Sequence, residues 1–172
     1  MPDKVIPRPL PAALNERKTF VERVYQEQLP TRERAVKRAW YYYLNLARLV
    51  KFIVEPGRRV LQIHCDIGHL LHAAAPARGL GIHPSEGHLD IARKNYPELE
   101  FRRSDAHDFC CDEKFDYVML CNAVGDIIDV EATLLRCRNV MTSESRRVLV
   151  WTNYLWQLVF KLAERVGLKS RQ

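Results

Sequence analysis

All six histidines of this 172-residue chain fall between His64 and His107, with Cys65, Cys110 and Cys111 close by. Imidazole and thiolate are ligands that suit zinc. Yet only His69 and His72, three residues apart, share a ligand-like spacing, so independent hydrogen-bonded or solvated histidines are expected, and no metal. The five cysteines count odd, two are adjacent, and none stands in a CxxC pair. Reduced thiols are therefore expected rather than a disulfide framework. The more informative stretch is VLQIHCDIGHL, Val60 to Leu70, which reads as a strand running into a helix through a tight turn. Such turns bind ligands because glycines let backbone approach closely and the helix N-terminus carries partial positive charge. Here the turn holds His64, Cys65 and Asp66, with Gly68 as its one glycine.

The elements that must position this turn follow from periodicity. Residues 1–13 contain Pro2, Pro7, Pro9 and Pro11 and read as an extended arm. A helix is expected from Leu14 to about Gln28, with Phe20, Val21 and Val24 as its apolar stripe. A second helix starts at Thr31 as N-cap, with Glu33 in its first turn, and runs to Val54. Val36, Trp40, Tyr43, Ala47, Val50 and Val54 share one face of it, and Pro56-Gly57 ends it. Thereafter short apolar runs alternate with amphipathic stretches. Strands are expected over 59–64, 79–83, 99–103, 115–121 and 146–153, with helices over 69–75, 86–96, 130–141 and 155–166. The helix over 130–141 is expected to bury Val130, Leu134, Cys137 and Met141, capped by Asp129. Nearly continuous apolar runs such as YVML and VLVW suit strands of a parallel sheet buried on both faces. The alternation argues for a three-layer α/β fold.

Length fits one domain, 56–172, preceded by a Pro-rich arm and helices, 1–55, as a lid or extension. No apolar run reaches the roughly 20 residues of a bilayer span and no signal peptide is evident, so a cytoplasmic protein without a membrane partner is expected. The net charge of +6 is spread along the chain, which suits solvated basic faces better than a nucleic-acid footprint.

From about residue 40 to 166 the chain resembles a class I S-adenosylmethionine-dependent methyltransferase. VLQIHCDIG stands where that family writes a strand, an acidic residue and three alternating glycines. GLGIHPSEGHLDIARKNYP matches the second strand and its helix. FRRSDAHDF resembles the segment whose Asp-Ala pair contacts adenine, FDYVMLCNAVGDIIDVEATLLRCRNVM the fourth strand and helix, and RRVLVWTN the fifth strand. The resemblance implies a Rossmann-like, mostly parallel sheet of five strands in the order 3-2-1-4-5. It also implies S-adenosylmethionine as cofactor, with S-adenosylhomocysteine as product. The cofactor would lie against Gln62, His64, Cys65, Asp66, Gly68, His83, Asp105, Ala106, Cys121 and Asn122, and a small-molecule acceptor would enter over Cys121 and Asn122. The TNYLWQLVFKLAERVGLK run is similar to bacterial methyltransferase domains attached to glycosyltransferases. Those continue with two more strands, so the chain reads as a truncated member, or as one that covers its sheet edge by self-association.

The motif departs from the family at four places. Gln62 and His83 stand for acidic residues, and His64 and Asp66 for glycines. A Cβ at 64 or 66 narrows the pocket and strains any left-handed backbone there. Asp66 would repel the cofactor's carboxylate, and a neutral imidazole at 83 accepts only one hydrogen bond. Two readings follow: an enzyme with an unusual pocket, or a binding module that keeps the fold alone. As an enzyme it would draw on Asp126 or His107 as general base, although no motif assigns a catalytic residue. The tyrosines of AWYYYLN, Ala39 to Asn45, are expected to pack their helix on the sheet, with Tyr41 or Tyr42 over the cofactor as the rival placement.

Overall fold

Alternating side chains on two central strands divide the interior into two cores, and the layers follow from that. The computed structural model of the chain describes residues 12–151; most of the Pro-rich arm and the helix expected over 155–166 lie outside the described residues. Five strands, β1 (Arg59–Ile63), β2 (Arg78–His83), β3 (Glu100–Arg103), β4 (Phe115–Cys121) and β5 (Met141–Val150), form one sheet in the order β3-β2-β1-β4-β5. Every neighbouring pair is parallel. The helices are α1 (Ala12–Gln28), α2 (Arg32–Arg38), α3 (Trp40–Ile53), α4 (His69–Ala73), α5 (Glu86–Asn95) and α6 (Val130–Asn139), with a 3-10 turn at Leu29–Thr31. On β4, Tyr117, Met119 and Cys121 face a core shared with Leu46 and Val50 of α3, Leu70 and Leu71 of α4, and Leu89 of α5. Phe115, Val118 and Leu120 face the opposite core, which Cys137 of α6 closes. This is the expected three-layer α/β arrangement and strand order.

Several local expectations are corrected. The helix expected from Thr31 to Val54 is two helices. The chain breaks at Ala39 (φ −88°, ψ 29°), and Trp40 turns outward instead of joining the stripe of Tyr43, Ala47 and Val50. Thr31 makes no side-chain cap; its hydroxyl donates to the Gln28 carbonyl at 3.2 Å. On α1 the inward position is Tyr25, whereas Phe20 is exposed. On α6 the buried residues are Thr133, Arg136 and Cys137, with Val130 exposed, because the helix lies over the sheet one position round from its apolar stripe. Asp129 caps it as expected, accepting from the Ala132 amide at 2.9 Å. β5 starts at Met141, earlier than expected; Met141 pairs with Phe115, and a register shift between Phe115 and Tyr117 separates it from the pairing that resumes at Arg146. Among its described residues Val148 alone is buried and Leu149 is half exposed, so the strand is an edge rather than a two-sided core strand.

Gly81 of β2 lets the site-bearing turn pack against the sheet. A Cβ on Gly81 would lie 2.8 Å from the Cys65 sulfur and 2.8 Å from the Phe101 ring, both buried. The Gly81→Ala variant is therefore expected to lose about 1–3 kcal/mol through overpacking. Urea denaturation would read this as a lower midpoint at unchanged slope.

Candidate functional site

At the carboxyl end of β1 the backbone turns through His64 (φ 54°), Asp66 (φ 53°) and Gly68 (φ 83°). All three adopt the left-handed conformation, although only one is glycine. For an L-residue that conformation carries about 1–2 kcal/mol of strain, least for the short polar types and histidine. Two hydrogen bonds fix the turn: the Cys65 amide donates to the Ile82 carbonyl at 3.0 Å and the Gly68 amide to the Cys65 carbonyl at 2.9 Å. Gly68 also allows close packing, since a Cβ there would stand 2.8 Å from the Phe101 ring. α4 begins immediately after, and the His72 amide donates to the Gly68 carbonyl.

The N-terminal helices reach over this turn and meet the expected site residues one by one. Lys18 of α1 forms an ion pair with Asp105. The Tyr25 hydroxyl and His64 Nδ1 share a hydrogen bond of 3.1 Å, and the Tyr25 ring lies 4.8 Å from the His83 ring and 5.5 Å from that of His88. Arg32 of α2 forks onto Asp66, with Nε at 2.9 Å and Nη2 at 2.6 Å, and its Nη2 also donates to the Tyr43 hydroxyl. Tyr42 of α3 donates to Asn122 Oδ1 at 2.8 Å. The tyrosine run is thus split. Tyr42 reaches the site and Tyr43 packs edge-on against His69, while Tyr41 points to solvent rather than packing on the sheet. Leu29 seats the connection between α1 and α2 against Gly87, where any Cβ would collide with it at 2.3 Å.

His64 and His83 come together, with ring centroids 5.5 Å apart. His107 instead joins Asp105 and Asp108, whose ligand atoms lie within 4.8 Å of one another. Ala106 is buried in the core on the α6 side, and Cys65 and Cys121 are buried in the other. His83 Nδ1 accepts from the Ser85 amide at 3.1 Å, so its single acceptor is used and its proton belongs on Nε2. Gln62 is 1% exposed and its Oε1 has no hydrogen-bond partner among the described residues. The sequence did not single out Lys18, Tyr25 or Arg32; their polarity hid them from a search for apolar stripes.

Burial governs the electrostatics. Desolvation pushes His64 down to about 4, against the attraction of Asp105, and drives His83 well below its ordinary value. His88 and His69 are lowered for the same reason. Burial opposes ionisation of Asp66, but the Arg32 guanidinium outweighs it and holds the carboxyl below its usual range. The repulsive charge expected at this position is therefore already neutralised. Asp126 is raised by desolvation from its neighbours, although the residue itself remains exposed.

The arrangement offers an unpaired acceptor on Gln62 and an Nε2–H on His83, beside a turn shaped for close backbone approach. A family model described as "Methyltransferase domain" matches residues 61–149. Among curated proteins, a ubiquinone biosynthesis O-methyltransferase from Bradyrhizobium diazoefficiens is 26% identical over 107 residues, covering 59% of this chain. The chain spans 42% of that relative's length. Among solved structures, a possible histamine N-methyltransferase from Thermotoga maritima aligns with a TM-score of 0.71 at 20% identity, covering 85% of this chain and 70% of that one. An amino pentose methyltransferase from Micromonospora echinaspora, solved with its cofactor bound, aligns with a TM-score of 0.55 at 20% identity, covering 65% and 50%. At these identities the solved structures bear on the fold alone.

The buried neutral histidines make acid stability a readout of this site. A histidine with a lowered folded value binds its proton first in the unfolded chain, so stability is lost as pH falls from about 6.5 towards the folded value of about 4 for His64. By pH 5.5 His64 alone is expected to remove about 1 kcal/mol, seen as a falling urea midpoint. The His64→Gln variant would flatten that fall. The Asp66–Arg32 contribution is lost only further down, below about pH 4.

Proposed function

The chain belongs to the methyltransferase-domain family, and from that premise we propose that it is an S-adenosylmethionine-dependent methyltransferase of a small molecule with a hydroxyl or amine acceptor. The observation that carries this reading is the left-handed backbone at His64, Asp66 and Gly68. That shape suits the close approach of a ligand, and it is kept although two of the three left-handed positions are not glycine. The unpartnered Gln62 Oε1 supports it too, since a buried acceptor lacking a donor suits a cofactor ammonium group. Similar proteins include an O-methyltransferase and a possible histamine N-methyltransferase, consistent with either acceptor class. The rival reading, a scaffold that no longer methylates, gains nothing from family membership.

The residues fit the cofactor once Tyr25 and Lys18 are withdrawn. Gln62 and the turn would hold the methionine end, His83 would donate from Nε2 to a ribose oxygen, and Asp105 with Ala106 would border the adenine. When bound, S-adenosylmethionine would supply an electrophilic methyl group on its sulfonium: the acceptor's lone pair would take the methyl as the S–CH3 bond breaks to leave S-adenosylhomocysteine, and the acceptor would give up its proton. The protein's part is chiefly alignment. Asp126, solvent-exposed in the loop after β4 and with its carboxyl raised above its ordinary value, is the candidate for receiving that proton. Cys121 and Asn122, at the end of β4, border the acceptor side. In this reading the segment up to residue 55 is a lid, and it competes with the cofactor through Lys18–Asp105 and Tyr25–His64.

Calorimetric titration tests this. Micromolar affinity for S-adenosylmethionine is expected, weakened about tenfold or more in Asp105→Ala by loss of a charged hydrogen-bond partner. A competing lid lowers the apparent affinity by the fraction of open protein. Tyr25→Ala should therefore bind several-fold more tightly, provided circular dichroism shows it folded. No heat at millimolar ligand from the folded protein and from Tyr25→Ala alike would overturn the proposal.

A further inference from the structure

Helix α3 buries one face and leaves the other without cover among the described residues. Leu46 and Val50 pack into the core, whereas Trp40 is 62% exposed, Tyr41 66% and Phe52 88%. Leu44 and Leu49 are also exposed. Arg48 and Lys51 are exposed on the same side of the helix as Trp40, Leu44 and Phe52, since spacings of three, four, seven and eight residues share a face. Over residues 34–54 the charged side chains are Arg34, Lys37, Arg38, Arg48 and Lys51, and none is acidic. The helix has 14 residues, a length of about 20 Å.

We propose that this face of α3 docks on the surface of an anionic lipid bilayer. It would lie in the headgroup layer, with Trp40, Leu44 and Phe52 inserted and Arg48 and Lys51 against lipid phosphates. Large apolar and aromatic side chains interleaved with basic ones are what an interfacial helix requires, and long basic side chains extend their charge towards headgroups while their stems stay in apolar surroundings. The charge pattern selects this occupant over others. A second copy would bring like charges face to face, and a nucleic acid would find phosphate partners but no use for Leu44, Leu49 and Phe52. The expectation that no membrane is involved rested on the absence of a span, and among the described residues no helix is long and apolar enough to cross a bilayer. Lying on the surface requires neither.

Vesicle flotation of the full chain at low salt tests the proposal. Neutral phosphatidylcholine vesicles would be compared with vesicles containing phosphatidylglycerol. Binding is expected to the anionic vesicles, at least tenfold stronger than to neutral ones. Arg48→Ala and Lys51→Ala should each weaken it about fivefold, the effect of about 1 kcal/mol per basic residue at an anionic surface. Phe52→Ser should weaken it as well without loss of thermal stability, because that side chain is almost wholly exposed. Equal or absent binding to both vesicle types would overturn the proposal. So would a single-stranded oligonucleotide bound more tightly than the vesicles and released by the same charge variants. A dimer in sedimentation that Phe52→Ser dissociates would also overturn it, assigning the face to a second copy.

Discussion

A carboxylate removed from water at the end of a strand must find a cation, and Asp66 finds Arg32, which comes from a helix outside the sheet. Much of the site's arrangement depends on that pairing. Arg32 can fork onto Asp66 only if α2 lies across the turn after β1, and α2 can lie there only if the chain bends at Ala39 to let α3 continue down the face of α4. The preceding connection is fixed as well, with Leu29 against the bare backbone of Gly87. Once α2 is anchored, α1 runs over the carboxyl ends of β1, β2 and the loop after β3. Tyr25 and Lys18 then meet His64 and Asp105.

Seen this way, the substitutions in the turn form one set with the helices above them. Histidine and aspartate at 64 and 66 are among the non-glycine residues that accept left-handed backbone most readily. They also supply side chains that glycine lacks, and each is bonded by an N-terminal helix. The turn keeps the shape suited to a nucleoside ligand while presenting a hydrogen-bonding surface to protein. Burial keeps the neighbouring histidines neutral, so Tyr25 can pack among three imidazole rings without confronting positive charge.

The fold was legible because its signals are local and repetitive. Alternation of apolar runs with amphipathic stretches gave the strands and helices, and strands such as FDYVMLC announced two-sided burial through their composition. The placing of the candidate site residues near the carboxyl ends of the strands was expected from motif order. What escaped the sequence was the content of the cleft. Lys18 and Tyr25 are polar or amphipathic, and their partners lie 87 and 39 residues further on, so no periodicity links them. The break at Ala39 escaped too, because alanine favours helix and nothing in the local sequence marks a stop there. On α6 the apolar stripe misled, since Thr133 is buried by bonding its hydroxyl to the Asp129 carbonyl at 2.7 Å.

The long reach of those contacts has a consequence for how the molecule is assembled. The N-terminal helices leave the ribosome first, yet Lys18 has to wait 87 residues for Asp105, and Tyr42 has to wait 80 for Asn122. At about 5–20 residues per second, that interval is several seconds, far longer than the microsecond or so in which a helix forms. During synthesis α1 to α3 therefore have time to form but must be seated late, leaving Tyr25 and the core-facing side of α3 without their partners until the β1–β4 sheet is there to receive them. The segment that covers the cleft in the finished protein is the part most in need of a companion while the chain is being made.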